Sequence, residues 1–329
     1  MIYKPQKNLR NKERNKTMKK FVAILLTLML VLGMTAAYAD TNVTINKVYK
    51  LTNDGTTSPA ETFTLEQVGN GEVKDGDATS APALGNITGA DFVAGAATVN
   101  GATGTITVEL PDYEKVGIYE YTLKETAGTT AGVAYHAGNI RLVVTVINGA
   151  NGLEAKAAVH TEATGADKSD KIENTYSAGT LNVSKTVTGL LGDKDKYFEF
   201  KVTLTGEADK TYGASYEVTG GSNTSNPSTI KIGEETTFLL KDSETIHIAN
   251  LPYGVRYTVT EDAEDYTITE KSGDTGSINA AETTAAFTNN KEGSIDTGVT
   301  TESLPYVVLM GFVVLAGAAL LLKRKAHNN

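Results

Sequence analysis

Six residues in this chain have the types and spacing of a site that modifies itself, and they fall into two sets of three. Lys47, Glu125 and Asn174 make the first set; Lys185, Glu261 and Asn289 make the second. A deprotonated lysine amine is a nucleophile, and an asparagine carboxamide is an acyl group that can release ammonia. A glutamate can carry the proton from one nitrogen to the other. In water the exchange is sluggish. Burial lowers the pKa of a lysine and raises that of a glutamate, and folding supplies proximity. The product would be a lysine–asparagine amide formed once, with the chain as its own substrate. Either set taken alone reads more often as a buried ion pair beside an asparagine that caps a strand end. Finding the trio twice favours the crosslink.

The elements that must hold these residues are strands. Short alternating runs rich in Thr, Val, Gly and Tyr, broken by Gly, Asn and Asp, favour an all-β sandwich, and no stretch between residues 40 and 298 has a useful helical period. Phe198, Phe200, Val202 and Leu204 alternate with polar neighbours, as do Phe63 and Leu65, and Ile106 and Val108. Residues 69–104 and 206–226, rich in small and polar types, read as loops. An internal repeat orders the rest. VTINKVYKL (residues 43–51) resembles LNVSKTVTG (residues 181–189), with Lys47 opposite Lys185. YTLKE at 121–125 answers YTVTE at 257–261, and Ile172-Glu173-Asn174 answers Phe287-Thr288-Asn289. Each copy thus carries Lys on its first strand, Glu on a middle strand and Asn on its last. Strand alternation puts Lys47 on the face of Val43 and Ile45, and Lys185 on the face of Leu181 and Val183. Glu125 shares a face with Tyr121 and Leu123, Glu261 with Tyr257 and Val259, Asn174 with Ile172, and Asn289 with Phe287. All six are expected to point into a core, where unpaired charge is costly.

Both ends of the chain describe export. Met18-Lys19-Lys20 is a charged start, residues 21–33 are apolar, and Ala37-Tyr38-Ala39 is a cleavage site, so residues 1–39 read as a signal peptide. The polar residues ahead of Met18 are a long n-region or an over-called start. At the other end, the uncharged apolar run at 304–322 is long enough, at about 1.5 Å per residue, to cross a hydrocarbon core of about 30 Å. Lys323, Arg324 and Lys325 follow it on the cytoplasmic side. The span alone fits a permanent anchor; Thr297-Gly298 just ahead of it gives residues 292–329 the layout of a sortase sorting signal. Removing residues 1–39 and 299–329 takes away 11 of the 30 Lys and Arg and 2 of the 39 Asp and Glu, leaving 19 basic and 37 acidic residues, a net of −18. That charge argues against nucleic acid and anionic membranes as partners. The chain has no cysteine, although an exported protein is free to use disulfides, so its resilience needs another covalent source.

With those residues in hand, the chain resembles the streptococcal T-antigen-type major (backbone) pilins, of the pilin isopeptide linkage domain family. LNVSKTVTG, RYTVTED (residues 256–262) and AAFTNN (residues 285–290) carry the resemblance in the second half. TINKVYKL, IYEYTLKE and KIENTY carry it in the first. The resemblance implies an all-β chain of two tandem immunoglobulin-like, Cna-B-like β-sandwich domains, residues 40–177 and 178–291. It implies isopeptide bonds Lys47–Asn174 and Lys185–Asn289, with Glu125 and Glu261 as proton shuttles. It further implies a sortase-built fibre in which the threonine of one subunit joins a lysine of the next. The expected partners are sortase, further copies of the chain, minor pilins, peptidoglycan and host surface ligands, with no cofactor. A monomeric wall-anchored adhesin or stalk using the same domains is the alternative.

The chain departs from that family in one respect. Similar pilins have a proline in the pentapeptide ahead of Thr-Gly, whereas this one reads Ser294-Ile295-Asp296-Thr297-Gly298, with Pro305 inside the apolar run. Cleavage is still expected between Thr297 and Gly298. In similar pilins the linking lysine lies shortly before the first-domain asparagine, which points to Lys168 and then Lys171. His136, His160, His247 and His327 are scattered without metal-ligand spacing, and no nucleophile-elbow or phosphate-cradling motif occurs, so a turnover enzyme is not expected.

Overall fold

A computed structural model describes residues 41–150, 152–161 and 168–293. The expected signal peptide at residues 1–39, the expected sorting motif at Thr297 and Gly298 and the apolar run at 304–322 lie outside the described residues. All regular structure among the described residues is β. The first half gives β1 (Asn42–Leu51), β2 (Glu61–Phe63), β3 (Leu65–Gln67), β4 (Glu72–Gly76), β5 (Ile87–Thr88), β6 (Ala90–Phe92), β7 (Ala102–Glu109), β8 (Gly117–Glu125), β9 (Val133–Ala134), β10 (Asn139–Gly149), β11 (Gly152–His160) and β12 (Lys171–Tyr176). The second gives β13 (Ala178–Thr188), β14 (Phe198–Thr205), β15 (Tyr216–Gly220), β16 (Thr229–Ile230), β17 (Glu235–Leu240), β18 (Thr245–Pro252), β19 (Arg256–Asp262), β20 (Thr267–Ser272), β21 (Thr275–Ser277) and β22 (Glu282–Asn290).

Each half has two main sheets and its own apolar cluster. In the first half the order β5-β7-β1-β12-β9 faces β11-β10-β8-β3; in the second, β16-β15-β18-β13-β22-β20 faces β17-β14-β19-β21. One cluster gathers Ile45, Tyr49, Phe63, Tyr121 and Ile172, the other Leu181, Phe198, Phe200, Phe238 and Phe287. Alternation explains the layering: β14 reads FEFKVTLT, and its four apolar residues are buried in turn while its polar residues face outward. Burying each such side chain stabilises by roughly 1.5–3 kcal/mol.

The repeat read from sequence is a repeat of topology. The first strand of each half pairs in parallel with the last, β1 with β12 and β13 with β22. On its other side the first strand pairs antiparallel with β7 or β18. In the facing sheets, β8 pairs with β3 as β19 pairs with β14. The halves differ at their margins. β10 and β11 form a long hairpin, whereas β21, in the place of β10, has three residues.

The two stretches expected to be loops carry short strands instead. Residues 69–104 hold β4, β5, β6 and the start of β7, and residues 206–226 hold β15. β4, β5, β6 and β15 run to five residues or fewer, too short for periodicity to set their alternation apart from a polar loop. Sheet pairing decides them, with β4 held against β8 and β15 against β18.

Ser177 is the one residue between β12 and β13, and loops from both halves close over it. The Asn250 amide pairs with the backbone of Thr57, its Oδ1 accepting from Thr57 N and its Nδ2 donating to Thr57 O, each at 2.9 Å. Asn250 holds φ at 58°, a left-handed setting that asparagine tolerates. Asn53 Nδ2 donates to Ala178 O and to Tyr253 Oη, both at 2.7 Å. Thr211 N donates to Thr129 O at 2.8 Å, and Ala131 N donates to Thr211 O at 3.0 Å. Gly132, at φ +77°, is needed there: a Cβ would lie 2.6 Å from Ser177 O.

Candidate crosslink sites

Strand pairing brings each lysine beside its asparagine. In the parallel pair β1–β12, Tyr49 lies opposite Asn174, so Lys47 sits two residues back on the same face. In β13–β22, Val187 lies opposite Asn289, and Lys185 is again two residues back. The offset is identical in both halves. The glutamates reach in from the facing sheets, Glu125 from the end of β8 opposite Leu65, and Glu261 from β19 opposite Phe200. All six residues expected to meet from the sequence do so in two trios.

In the first trio, Lys47 Nζ donates to Glu125 Oε2 at 2.5 Å and to Asn174 Oδ1 at 2.7 Å. Asn174 Nδ2 donates to Glu125 Oε1. The three residues are 0%, 2% and 1% exposed. One carboxylate therefore touches both nitrogens, Oε2 on the lysine side and Oε1 on the asparagine side. In the second trio, Lys185 Nζ donates to Glu261 Oε1 at 2.5 Å and Asn289 Nδ2 donates to the same oxygen at 2.9 Å. Asn289 Oδ1 and Glu261 Oε2 are buried without a hydrogen-bond partner. Two orphaned acceptors in a core are a cost that a reaction or a bound water would relieve.

Both lysines are poised toward the neutral amine. Burial pushes the Lys47 ammonium below its ordinary value, against the opposing hydrogen bond and charge of Glu125. Lys185 is lowered for the same reason, against Glu261 and the charge of Asp242. An aromatic ring completes each site. Lys47 Nζ lies 4.6 Å from the centre of Phe63, and Lys185 Nζ lies 4.2 Å from that of Phe198. Neither ring was expected to belong to a site. The signal was present all the same, since each phenylalanine stands two residues before the strand position that faces its glutamate, Leu65 or Phe200.

The linking candidates sit at the start of β12. Lys168 is half-buried in the segment leading to the strand, next to Ser169, whose N donates to Val159 O at 3.1 Å, and no carboxylate among the described residues pairs with it. Lys171 is exposed on the strand, with its Nζ 3.5 Å from Glu173 Oε2. No group of three or more His, Asp or Glu among the described residues is arranged to hold a metal ion.

Residues 43–177 match the family described as the Spy0128-like isopeptide containing domain, and residues 179–291 match a domain of unknown function, DUF7601. A pilin of Streptococcus pyogenes serotype M1 is 33% identical over 240 residues, spanning 65% of this chain and 69% of that protein. The pilus tip adhesin Cpa of Streptococcus pyogenes is 33% identical over 129 residues, 37% of this chain but 18% of the adhesin. The crystal structure of the major pilin from Streptococcus pyogenes shares the fold with a TM-score of 0.52 at 24% identity, covering 77% of this chain and 99% of that one. A two-part all-β chain with this coverage is a pilus protein of the Gram-positive cell surface. The chain belongs to the streptococcal-type pilin family, and it is a structural subunit and not an enzyme.

Proposed function

We propose that this chain is the shaft subunit of a sortase-assembled covalent pilus, stiffened by isopeptide bonds Lys47–Asn174 and Lys185–Asn289 in domains spanning residues 40–177 and 178–291. The observation that carries the reading is the duplicated offset: in two strand pairs the lysine stands two residues before the position opposite the asparagine, under a glutamate from the facing sheet. An ion pair would not need the carboxamide of a third strand in the same register twice.

The chemistry follows from the first trio. Glu125 Oε2 takes the proton from Lys47 Nζ, and the neutral amine attacks Asn174 Cγ. As the Nζ–Cγ bond forms, Oε1 delivers a proton to Nδ2. The Cγ–Nδ2 bond then breaks and ammonia leaves, while the second proton of Nζ passes to the Glu125 carboxylate; a neutral amide, ammonia and a protonated Glu125 account for every atom and charge. Glu261 does the same for Lys185 and Asn289. The bond closes only after β1 and β12 have paired, because proximity is the main source of rate.

Export, cleavage between Thr297 and Gly298, and transfer of Thr297 to Lys168 of the next copy complete the proposed assembly, with Lys171 the second candidate. Minor pilins and peptidoglycan are the further partners, in keeping with the tip adhesin's partial similarity. Two measurements test the reading. The intact mass of residues 40–298 is expected about 34 Da below the sequence mass, one ammonia per bond. Wall digests are expected to give an SDS-resistant ladder that vanishes when sortase is deleted or when Lys168→Ala and Lys171→Ala are combined. Full mass in folded protein refutes the crosslinks; crosslinked monomer without a ladder makes the chain a wall-anchored adhesin.

A further inference from the structure

The end of the second domain carries an apolar pair that its own core does not use. β13 buries Leu181, Val183 and Val187, then turns at Gly189 with φ 91°, and the next two residues, Leu190 and Leu191, are 66% and 57% exposed. Among the other exposed large apolar residues described, Val68, Val93, Val99 and Ile268 stand singly and are ordinary surface.

The pair is fastened to the place where the chain leaves the domain. Leu191 N donates to Lys291 O at 3.0 Å, and Lys291 N donates to Thr188 O at 3.1 Å. The backbone then passes over Leu191 so closely that a Cβ on Gly293 would lie 2.3 Å from Leu191 Cδ1. From Gly293 to Thr297 the chain can span at most about 14 Å, at about 3.3–3.6 Å per residue.

We propose that Leu190 and Leu191 are the seat by which one copy of the chain packs on the first domain of the next, against the β10–β11 hairpin around Leu153. The inference rests on the polymer reading above. The short tether holds the leucines close to the lysine that accepts Thr297. Leu153 is 38% exposed near the start of β11, the strand whose Val159 carbonyl anchors Ser169 beside Lys168. Six residues of strand, about 20 Å, separate Leu153 from Val159. That span matches the tether plus the lysine's four-carbon arm. The hairpin is also the part of the first domain that the second does not reproduce as a long element. Two leucines are far too small a patch to hold free monomers together. They suffice at a covalent joint, where the link itself supplies the effective concentration.

Because the chain has no cysteine, the contact can be read directly. Leu191→Cys and Leu153→Cys are introduced together into the full chain in pilus-forming cells, and a short bis-maleimide is added before the wall is digested. A bridged peptide pair is expected from the ladder at least about tenfold above that from a Leu191→Cys/Val93→Cys control, and none from monomer of sortase-deleted cells. A normal ladder without the bridged pair overturns the seat while leaving the polymer reading intact. Absence of any ladder from the unaltered chain overturns the polymer reading, and the seat with it.

Discussion

Replacing Lys47 with methionine separates the crosslink from the packing around it. Methionine keeps most of the volume beneath Phe63 and removes the nucleophile. The Asn174–Glu125 hydrogen bond remains, while Glu125 Oε2 and Asn174 Oδ1 lose Lys47 as donor. What is lost is the tie between two points 127 residues apart in sequence. Treated as a loop closure like a disulfide's, that tie stabilises by about 5 kcal/mol. In a domain of this size each kcal/mol moves Tm by roughly 3–4 °C, so Lys47→Met is expected to melt about 15–20 °C lower. Glu125→Ala should do worse. It also removes the bond, and it leaves Lys47, fully buried, without its carboxylate, which costs a further ~3–5 kcal/mol. Calorimetry on residues 40–298, with intact mass on each sample, measures both. The mass of either variant should rise by about 17 Da relative to the loss seen in the parent, since one ammonia is retained. A Lys47→Met transition within about 3 °C of the parent, or a parent that carries both ammonias, would refute the reasoning.

Acid should hold the reaction back. Each buried lysine has its pKa lowered, so an uncrosslinkable Asn174→Ala domain binds fewer protons folded than unfolded between the lowered value and 10.5, and its stability rises with pH across that window. The Tm deficit of Asn174→Ala relative to Asn174→Ala/Lys47→Met should therefore shrink as pH rises toward 10.5; a deficit that widens would reverse the sign of the Lys47 shift. Phe198→Leu removes the ring 4.2 Å from Lys185 Nζ and should cost about 0.5–2 kcal/mol in an Asn289→Ala background, read by urea denaturation, whereas no loss would make the ring mere filling. Asn250→Gly keeps φ 58° without strain but deletes both hydrogen bonds to Thr57. Spin labels on exposed sites of the two domains should then report a broader distance distribution, and an unchanged one would mean that the joint is held elsewhere.

The six residues of the two buried trios were legible in the sequence because strand alternation is a local rule. Once Ile45 and Leu181 are assigned to a core, Lys47 and Lys185 must share it, and repetition of the trio marks it as more than chance. The two-sheet character was legible for the same reason, since β14 states its buried face residue by residue. The short strands β4, β5, β6 and β15 were not, because they are specified by their neighbours in the sheet and not by their own periodicity. Sequence also could not say which strands pair. The parallel contact of first with last strand, and with it the two-residue offset that sets lysine beside asparagine, exists only after more than a hundred residues have folded between them. The same holds for the rings of Phe63 and Phe198 over the ammonium groups, and for the loops of both halves that meet around Ser177. Residue type and period fix what a side chain can do and which way it faces; long-range pairing, set by the whole core at once, decides what it meets.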